Sequence, residues 1–160
     1  MIIGRGRSSL RLNVQRPTPN IQLPMITELR RQLSVAIENE PGRLGQIGRV
    51  LAERGIHIDA FSVIDNVEQG MVRLMTSDPT AAREVLKSEG LPVVEAEVLA
   101  VEMTDRVGNL AAVGRGLAEA GINIEYAYAS TAKIGQPARL IMRTTSPQKA
   151  REVLATVGDS

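Results

Sequence analysis

The sequence contains an internal repeat with a spacing of 66 residues, and this repeat restricts the fold more than any other feature. Residues 42–58 (GRLGQIGRVLAERGIHI) return at 108–124 as GNLAAVGRGLAEAGINI, and ten of the 17 aligned pairs are identical. A second match follows in each half, since Pro79 and 82–86 (AREVL) return as Pro147 and 150–154. This spacing exceeds the usual unit of a solenoid. It predicts two copies of one small domain.

Hydrophobic periodicity predicts the same order of elements in each half. In the first half, residues 32–38 alternate as a half-buried strand, and the turn at 39–42 opens a helix that Gly55 ends. A strand at 56–60, a strand at 71–76, a helix at 79–90 and a strand at 93–98 follow. The βαββαβ order is typical of ferredoxin-like α+β folds, in which helices cover one face of an antiparallel sheet.

The second half predicts a strand at 98–104, a helix at 108–120, strands at 122–130 and 138–144, and a helix at 147–157. No glycine or proline lies between Pro92 and Gly108, so the strands on either side of residue 98 are expected to form one continuous strand. The final strand of the second unit is expected to be short or missing, or replaced by a segment such as Ile21–Ile26. We therefore expect a flexible basic tail (1–28), a first domain (29–97) and a second domain (98–160).

Charge and composition exclude several classes of protein. Residues 1–24 carry four arginines and no acidic residue, whereas 25–160 have a formal charge of −3. Prolines in the arginine-rich segment favour a flexible tail over a targeting helix. The chain has no cysteine and one histidine, and no apolar run approaches the about 20 residues of a membrane span. We expect a cytoplasmic protein with no metal, no cofactor and no membrane partner.

Two functions common on this fold are disfavoured by the residue types present. Recognition of RNA requires aromatic side chains on the central strands, and the segments 33–38 and 71–76 have none. Catalysis would be expected to recur in both copies, but His57 corresponds to Asn123. The corresponding carboxylates Asp59 and Glu125 are typical of solvated strand residues. We expect no catalytic residues and no nucleic-acid partner.

Binding of a small zwitterion at the strand–turn–helix junctions fits the residues better. Gly42 and Gly108 would let a ligand approach the backbone, and a helix N-terminus favours an anion such as a carboxylate. Asn39 and Asp105 offer acceptors for an ammonium group at matched positions. The alternative from the residues alone is that Asn39 and Asp105 only cap their helices.

Both copies resemble the ACT domain motif. In the first copy the resemblance lies in residues 39–44 (NEPGRL) and 51–58 (LAERGIHI), and in the second in 105–110 (DRVGNL) and 121–124 (GINI). It covers about residues 30–160, and the whole chain is similar to short bacterial proteins made of two tandem ACT domains. The first domain also resembles the small subunit of acetohydroxyacid synthase, although the second GINI copy argues against that family.

The resemblance implies regulatory binding of a free amino acid between paired ACT domains, by the turn of one domain and the second strand of its neighbour. It implies a homodimer, and it leaves open a partner enzyme or a purely structural pair without ligand. The implied ligand-binding residues are Asn39, Pro41, Gly42, Arg43, Leu44, His57, Asp105, Gly108, Asn109, Leu110 and Asn123. Three positions depart from the family pattern: His57 replaces an asparagine, Val107 replaces the proline of the turn, and Ile37 stands where serine-binding relatives carry a histidine.

Overall fold

The computed structural model describes residues 25–66, 69–130 and 135–157. These residues form six strands and four helices in the predicted order. The elements are β1 (Ile26–Glu38), α1 (Arg43–Ala52), β2 (Ile58–Asn66), β3 (Gln69–Thr76), α2 (Pro79–Ser88), β4 (Val93–Thr104), α3 (Asn109–Glu119), β5 (Ile124–Ser130), β6 (Pro137–Thr144) and α4 (Pro147–Val157). The predicted α+β class is confirmed.

All six strands form one antiparallel sheet in the order β2-β3-β1-β4-β6-β5. β4 is a single strand of 12 residues, as the absence of glycine and proline predicts. β1 begins at Ile26, inside the predicted tail, while residues 1–24 lie outside the described part of the chain. The predicted division between residues 97 and 98 falls within β4, and this division stays a prediction.

Each of the two long central strands, β1 and β4, forms part of the sheet in both halves of the chain. β1 pairs with β4 from Ile26 opposite Glu102 to Val35 opposite Val93. Arg31 therefore lies opposite Glu97, and Glu97 is the residue that corresponds to Arg31 in the repeat. A local twofold axis passes through this pair. The start of β1 occupies the position next to β4 that a fourth strand of the second half would take.

Two hydrophobic cores lie on the helix-covered face of the sheet, one in each half. In the first core α1 and α2 cover residues of β1 and β3, with Leu33, Leu51 and Leu86 fully buried. In the second core α3 and α4 cover residues of β4 and β6, with Leu99 and Leu117 fully buried. These buried positions alternate along the strands, which is why period-two patterns in the sequence identify them.

The opposite face of the sheet is also buried in its centre, where the sheet curls so that β5 reaches β1 and β3. A small apolar cluster there contains Met75, Val98, Ala100 and Ile141. Gln32 on β1, with no exposed surface, lies beside it. Because β4 and β6 separate β1 from β5 in the strand order, only curvature of the sheet brings these residues together.

Gln32 is held by two tyrosines of β5. Its Nε2 donates a hydrogen bond of 2.6 Å to the hydroxyl oxygen of Tyr126, and the hydroxyl of Tyr128 donates one of 3.0 Å to its Oε1. The guanidinium carbon of Arg73 lies 3.8 Å from the centre of the Tyr126 ring, a cation–π contact. Burial raises the pKa of Tyr128 to about 12, so its hydroxyl stays a donor at neutral pH. We call Gln32, Tyr126 and Tyr128 the cross-sheet triad.

Candidate functional site

The candidate site lies where a central strand turns into the first helix of each half. The β1–α1 turn covers residues 39–42 and the β4–α3 turn covers 105–108. In both, the residue before the helix is a glycine in the left-handed conformation, with φ of 91° at Gly42 and 97° at Gly108. This φ strains any residue with a Cβ, which explains the repeated glycine.

Neither helix is capped by a side chain. Gly42 and Gly108 are the N-cap residues, and no side-chain capping bond forms at either. The sequence left open that Asn39 and Asp105 only cap their helices; in the structure neither of them is the N-cap residue. Both residues lie three positions before the N-cap glycine.

The β4–α3 turn opens onto a cleft of about 540 Å³, within the about 300–1,000 Å³ of small-molecule sites. Four of the expected ligand-binding residues line this cleft together: Asp105, Gly108, Asn109 and Leu110. The remaining lining residues, which sequence reasoning missed, are Met103, Arg106, Ala111, Ala129, Ala138, Arg139 and Leu140. Arg106 lies in the turn itself and Ala111 in α3, whereas Ala129 of β5 and Ala138, Arg139 and Leu140 of β6 reach the turn only through the strand order.

Local hydrogen bonds hold the second turn in place. The backbone N–H of Asp105 donates to the carbonyl of Gln136 at 2.7 Å, and the N–H of Gly135 donates to the carbonyl of Asp105 at 2.7 Å. The Nδ2 of Asn109 donates to the carbonyl of Thr104 at 2.6 Å. The backbone of Asp105, a residue that lines the cleft, is therefore fixed by the two residues just before β6.

At the β1–α1 turn, the side chain of Arg43 contacts three other side chains. Its guanidinium forms an ion pair with Glu38, lies 3.5 Å from a carboxylate oxygen of Glu40, and donates to Oε1 of Gln46 at 3.5 Å. A cleft of about 290 Å³ lies beside it, between the end of β1 and the connection from α2 to β4. Arg43 is the one expected site residue that lines it, while Pro41 and Leu44 are exposed on the turn and helix.

His57 and Asn123 occupy equivalent, exposed positions just before β2 and β5. The N–H of His57 donates to Oγ of Ser77 at 3.0 Å, and the N–H of Asn123 donates to Oγ1 of Thr145 at 3.2 Å. Neither residue lines the two clefts at the turns. The chain therefore does not bring the expected second-strand residues to the expected turns by itself.

Asp59 and Glu125, which occupy equivalent positions in the two halves, each form an ion pair. Asp59 receives a 2.6 Å contact from Arg30, and Glu125 a 2.7 Å contact from Arg143. In residues 25–66, 69–130 and 135–157, no group of three or more histidine, aspartate or glutamate side chains could hold a metal ion. Over the same ranges, no helix is both long and apolar enough to span a membrane.

Comparison with known proteins decides the family. A family model described as an ACT domain pair matches residues 28–157. The chain belongs to the ACT domain pair family. The resemblance inferred from the repeated turn and GI(H/N)I motifs is thus confirmed for both halves of this ACT domain pair.

Solved structures share the fold of this ACT domain pair. Protein BT0572 from Bacteroides thetaiotaomicron is 31% identical, with 80% of this chain and 88% of that chain covered and a TM-score of 0.74. The ligand-free regulatory subunit of aspartate kinase from Thermus thermophilus is 17% identical, with 86% and 99% covered and a TM-score of 0.67. The regulatory subunit from Thermus flavus is 21% identical, with 85% and 95% covered and a TM-score of 0.62. A search of curated protein sequences found no match.

Proposed function

We propose that this ACT domain pair is a non-catalytic regulatory protein that binds a free amino acid. The observation that carries the proposal is the cleft at the β4–α3 turn, which is lined by charged side chains of both signs together with apolar ones. An amino acid has the same arrangement, since its ammonium and carboxylate groups lie at one end and its side chain at the other. The shared fold with regulatory subunits of aspartate kinase supports a regulatory role.

The surroundings of the cleft support closure by a second protein surface. Val107 is 90% exposed and Leu110 is 68% exposed, both beside the cleft. Apolar side chains grouped at a binding site are typical of surfaces that another chain covers. In the proposed mechanism the amino acid bridges two ACT domains and favours the arrangement in which this surface is covered. A ligand shifts that equilibrium only by its difference in affinity for the two arrangements.

The amino acid is expected to stabilise the full-length protein against heat. A ligand present at about 100 times its Kd adds about 2.7 kcal/mol to the free energy of unfolding. For a chain of this size that raises Tm by about 5–10 °C. The measurement is thermal unfolding with each of the twenty L-amino acids, and the D-enantiomer of any active compound is the control ligand.

Asp105→Ala should abolish the rise in Tm, because it removes the carboxylate of a residue that lines the cleft. Glu152→Ala, which removes an exposed carboxylate on α4, should leave the rise intact. A panel in which no amino acid changes Tm would contradict the proposed ligand. A rise that survives Asp105→Ala would move the site away from this cleft.

We further propose a homodimer in which the edge strand β2 lies at the interface. In the described residues β2 pairs only with β3, and its Phe61 and Val63 are 56% and 47% exposed. An exposed apolar edge strand is an open template for pairing with another chain. The two copies of β2 can pair with each other about a twofold axis, which is the usual symmetry of dimers.

Val63→Lys is expected to convert the dimer to a monomer, because it places a charge in the middle of this edge. The measurement is light scattering coupled to size-exclusion chromatography at several concentrations. Val94→Lys is the matched control, since Val94 is exposed on the central strand β4. A monomeric wild-type protein, or a dimer that Val63→Lys leaves intact, would contradict this interface.

A regulatory subunit of an amino-acid biosynthetic enzyme is the second candidate function. The two Thermus proteins that share the fold are regulatory subunits of aspartate kinase, and this chain covers 95% or more of each. This candidate differs from a free-standing sensor only in its output. Co-purification of a catalytic chain with the tagged protein from its own host would favour it.

A further inference from the structure

We infer that the second-half cleft is an interaction surface for residues 20–24 of the same chain, the segment that leads into β1. This cleft, of about 540 Å³, lies at the β4–α3 turn. The inference concerns the same cleft as the proposed amino-acid site but does not rest on ligand binding. It implies that an amino acid entering the cleft competes with a segment of the chain itself.

The chain enters β1 beside this cleft. Ile26 pairs with Glu102 in the antiparallel ladder between β1 and β4, so Met25 stands next to Met103. Met25 is 5% exposed and belongs to the second core, and Met103 packs against that core. Because Met103 also lines the cleft, the residues that precede Met25 start at the edge of the cleft.

The internal repeat shows what the equivalent segment does in the first half. Residues 89–92, which lead into β4, correspond to residues 23–26, which lead into β1. Residues 89–92 all line the cleft of about 290 Å³ at the first turn, and Leu91, the counterpart of Met25, packs against the first core. Among the described residues, none from β1 lines the larger second cleft. Residues 23–24 therefore stand where the first half has a wall of its cleft.

The apolar side chains of the segment match the lining of the cleft. Ile21, Leu23 and Met25 alternate in the sequence, so in an extended chain all three point to the same side. That side is the one on which Met25 enters the second core. The cleft offers the apolar side chains of Met103, Ala111, Ala129, Ala138 and Leu140. Contact between the two apolar surfaces removes both from water, which favours docking.

The segment is long enough to cross the cleft. β4 and β6 separate β1 from β5, and three strand spacings amount to about 14 Å. The five residues 20–24 can extend about 17 Å. Pro24 has no N–H to continue the ladder with β4, so the chain can turn away from the strand edge at this residue.

Covalent attachment and charge favour the segment of the same chain as the occupant. Residues 1–24 carry a formal charge of +4, and residues 25–160 carry −3. This attraction acts beyond direct contact and keeps the segment near the rest of the chain. A short tether gives an effective concentration of about the millimolar range. The segment of a second copy, in a solution of micromolar protein, competes poorly with it.

Disulfide formation in the full-length protein tests the inference, because the chain has no cysteine of its own. Asn20→Cys combined with Ala129→Cys should form a disulfide within one chain, with oxidised glutathione as the oxidant and no amino acid present. Asn20→Cys with Ser130→Cys is the matched control. Ala129 lines the cleft, whereas its neighbour Ser130 points to the opposite face of the sheet. Peptide mass spectrometry should show the first pair forming about tenfold faster or more, because only its cysteines share the cleft.

A second set of variants tests the apolar contact. Ile21→Asp with Leu23→Asp, added to the Asn20→Cys and Ala129→Cys pair, should slow disulfide formation about tenfold or more, because charged side chains lose hydration on an apolar lining. Ile2→Asp with Ile3→Asp makes the same change in charge at the other end of residues 1–24. This control should leave the rate unchanged.

Three results would overturn the inference: equal rates for the Ala129 and Ser130 pairs, a disulfide that joins two chains, or a rate that Ile21→Asp with Leu23→Asp leaves unchanged. None of them would affect the proposed amino-acid binding, because the experiment contains no ligand. A thermal-unfolding panel in which no amino acid acts would instead remove the proposed function and leave the docking of residues 20–24 standing.

Discussion

Replacing Leu33 or Leu99 with alanine is expected to lower the free energy of unfolding by about 2–5 kcal/mol in each case. Both side chains are fully buried, Leu33 in the first core and Leu99 in the second. The two positions are equivalent in the repeat and lie on the central strands β1 and β4. The expected loss is a large share of the about 5–15 kcal/mol by which a typical domain is stable.

Each variant should still unfold in one transition, because β1 and β4 belong to both halves and neither half keeps a complete sheet alone. The measurement is urea unfolding followed by circular dichroism, with thermal unfolding as a second probe. Val94→Ala, at an exposed position on β4, is the control and should change stability by no more than about 0.5 kcal/mol. Two transitions, with only one of them shifted by each variant, would show that the halves are independent domains.

Gln32→Leu is expected to destabilise the protein by about 2–4 kcal/mol although it replaces a buried polar residue with an apolar one of similar size. The substitution removes the partner that the two tyrosines share, so the hydroxyls of Tyr126 and Tyr128 each lose the hydrogen bond to Gln32. An unsatisfied buried hydroxyl costs about 1–3 kcal/mol. Urea unfolding measures the loss, and Gln69→Leu, at an exposed position on β3, is the matched control.

The triple variant that combines Gln32→Leu with Tyr126→Phe and Tyr128→Phe should be more stable than Gln32→Leu alone. Removing every member of a hydrogen-bonded group leaves no unsatisfied atom, whereas removing one member leaves two. The triple variant would then lose less stability than the sum of the losses of the single variants, and this difference measures the coupling between the three residues. If the three changes destabilise additively, Gln32 contributes only its packing and the triad does not hold the curled sheet.

Much of the candidate site could be predicted because its turn is local in sequence. The repeated glycine, with the polar residue three positions before it, identified Asp105 and Gly108, the resemblance to the ACT motif added Asn109 and Leu110, and all four line one cleft. Arg106 lies within the same turn and could have been found from its charge beside Asp105. Ala129 and Leu140 could not, because small apolar residues on β5 and β6 carry no signal of their own until those strands are placed beside β4.

The sequence alone determined the repeated βαββα order, the uninterrupted β4 and the glycine at each turn, because periodicity, helix breakers and positive φ are properties of neighbouring residues. Only the tertiary structure decided that the start of β1 completes the second half, and that Gln32 meets Tyr126 and Tyr128, which lie 94 and 96 positions away. It also decided that Arg43 contacts Glu38 and Gln46 at the first turn, whereas Asn109 lines the second cleft together with residues of β5 and β6. These outcomes depend on strand pairing and sheet curvature, which bring together residues that no local pattern connects.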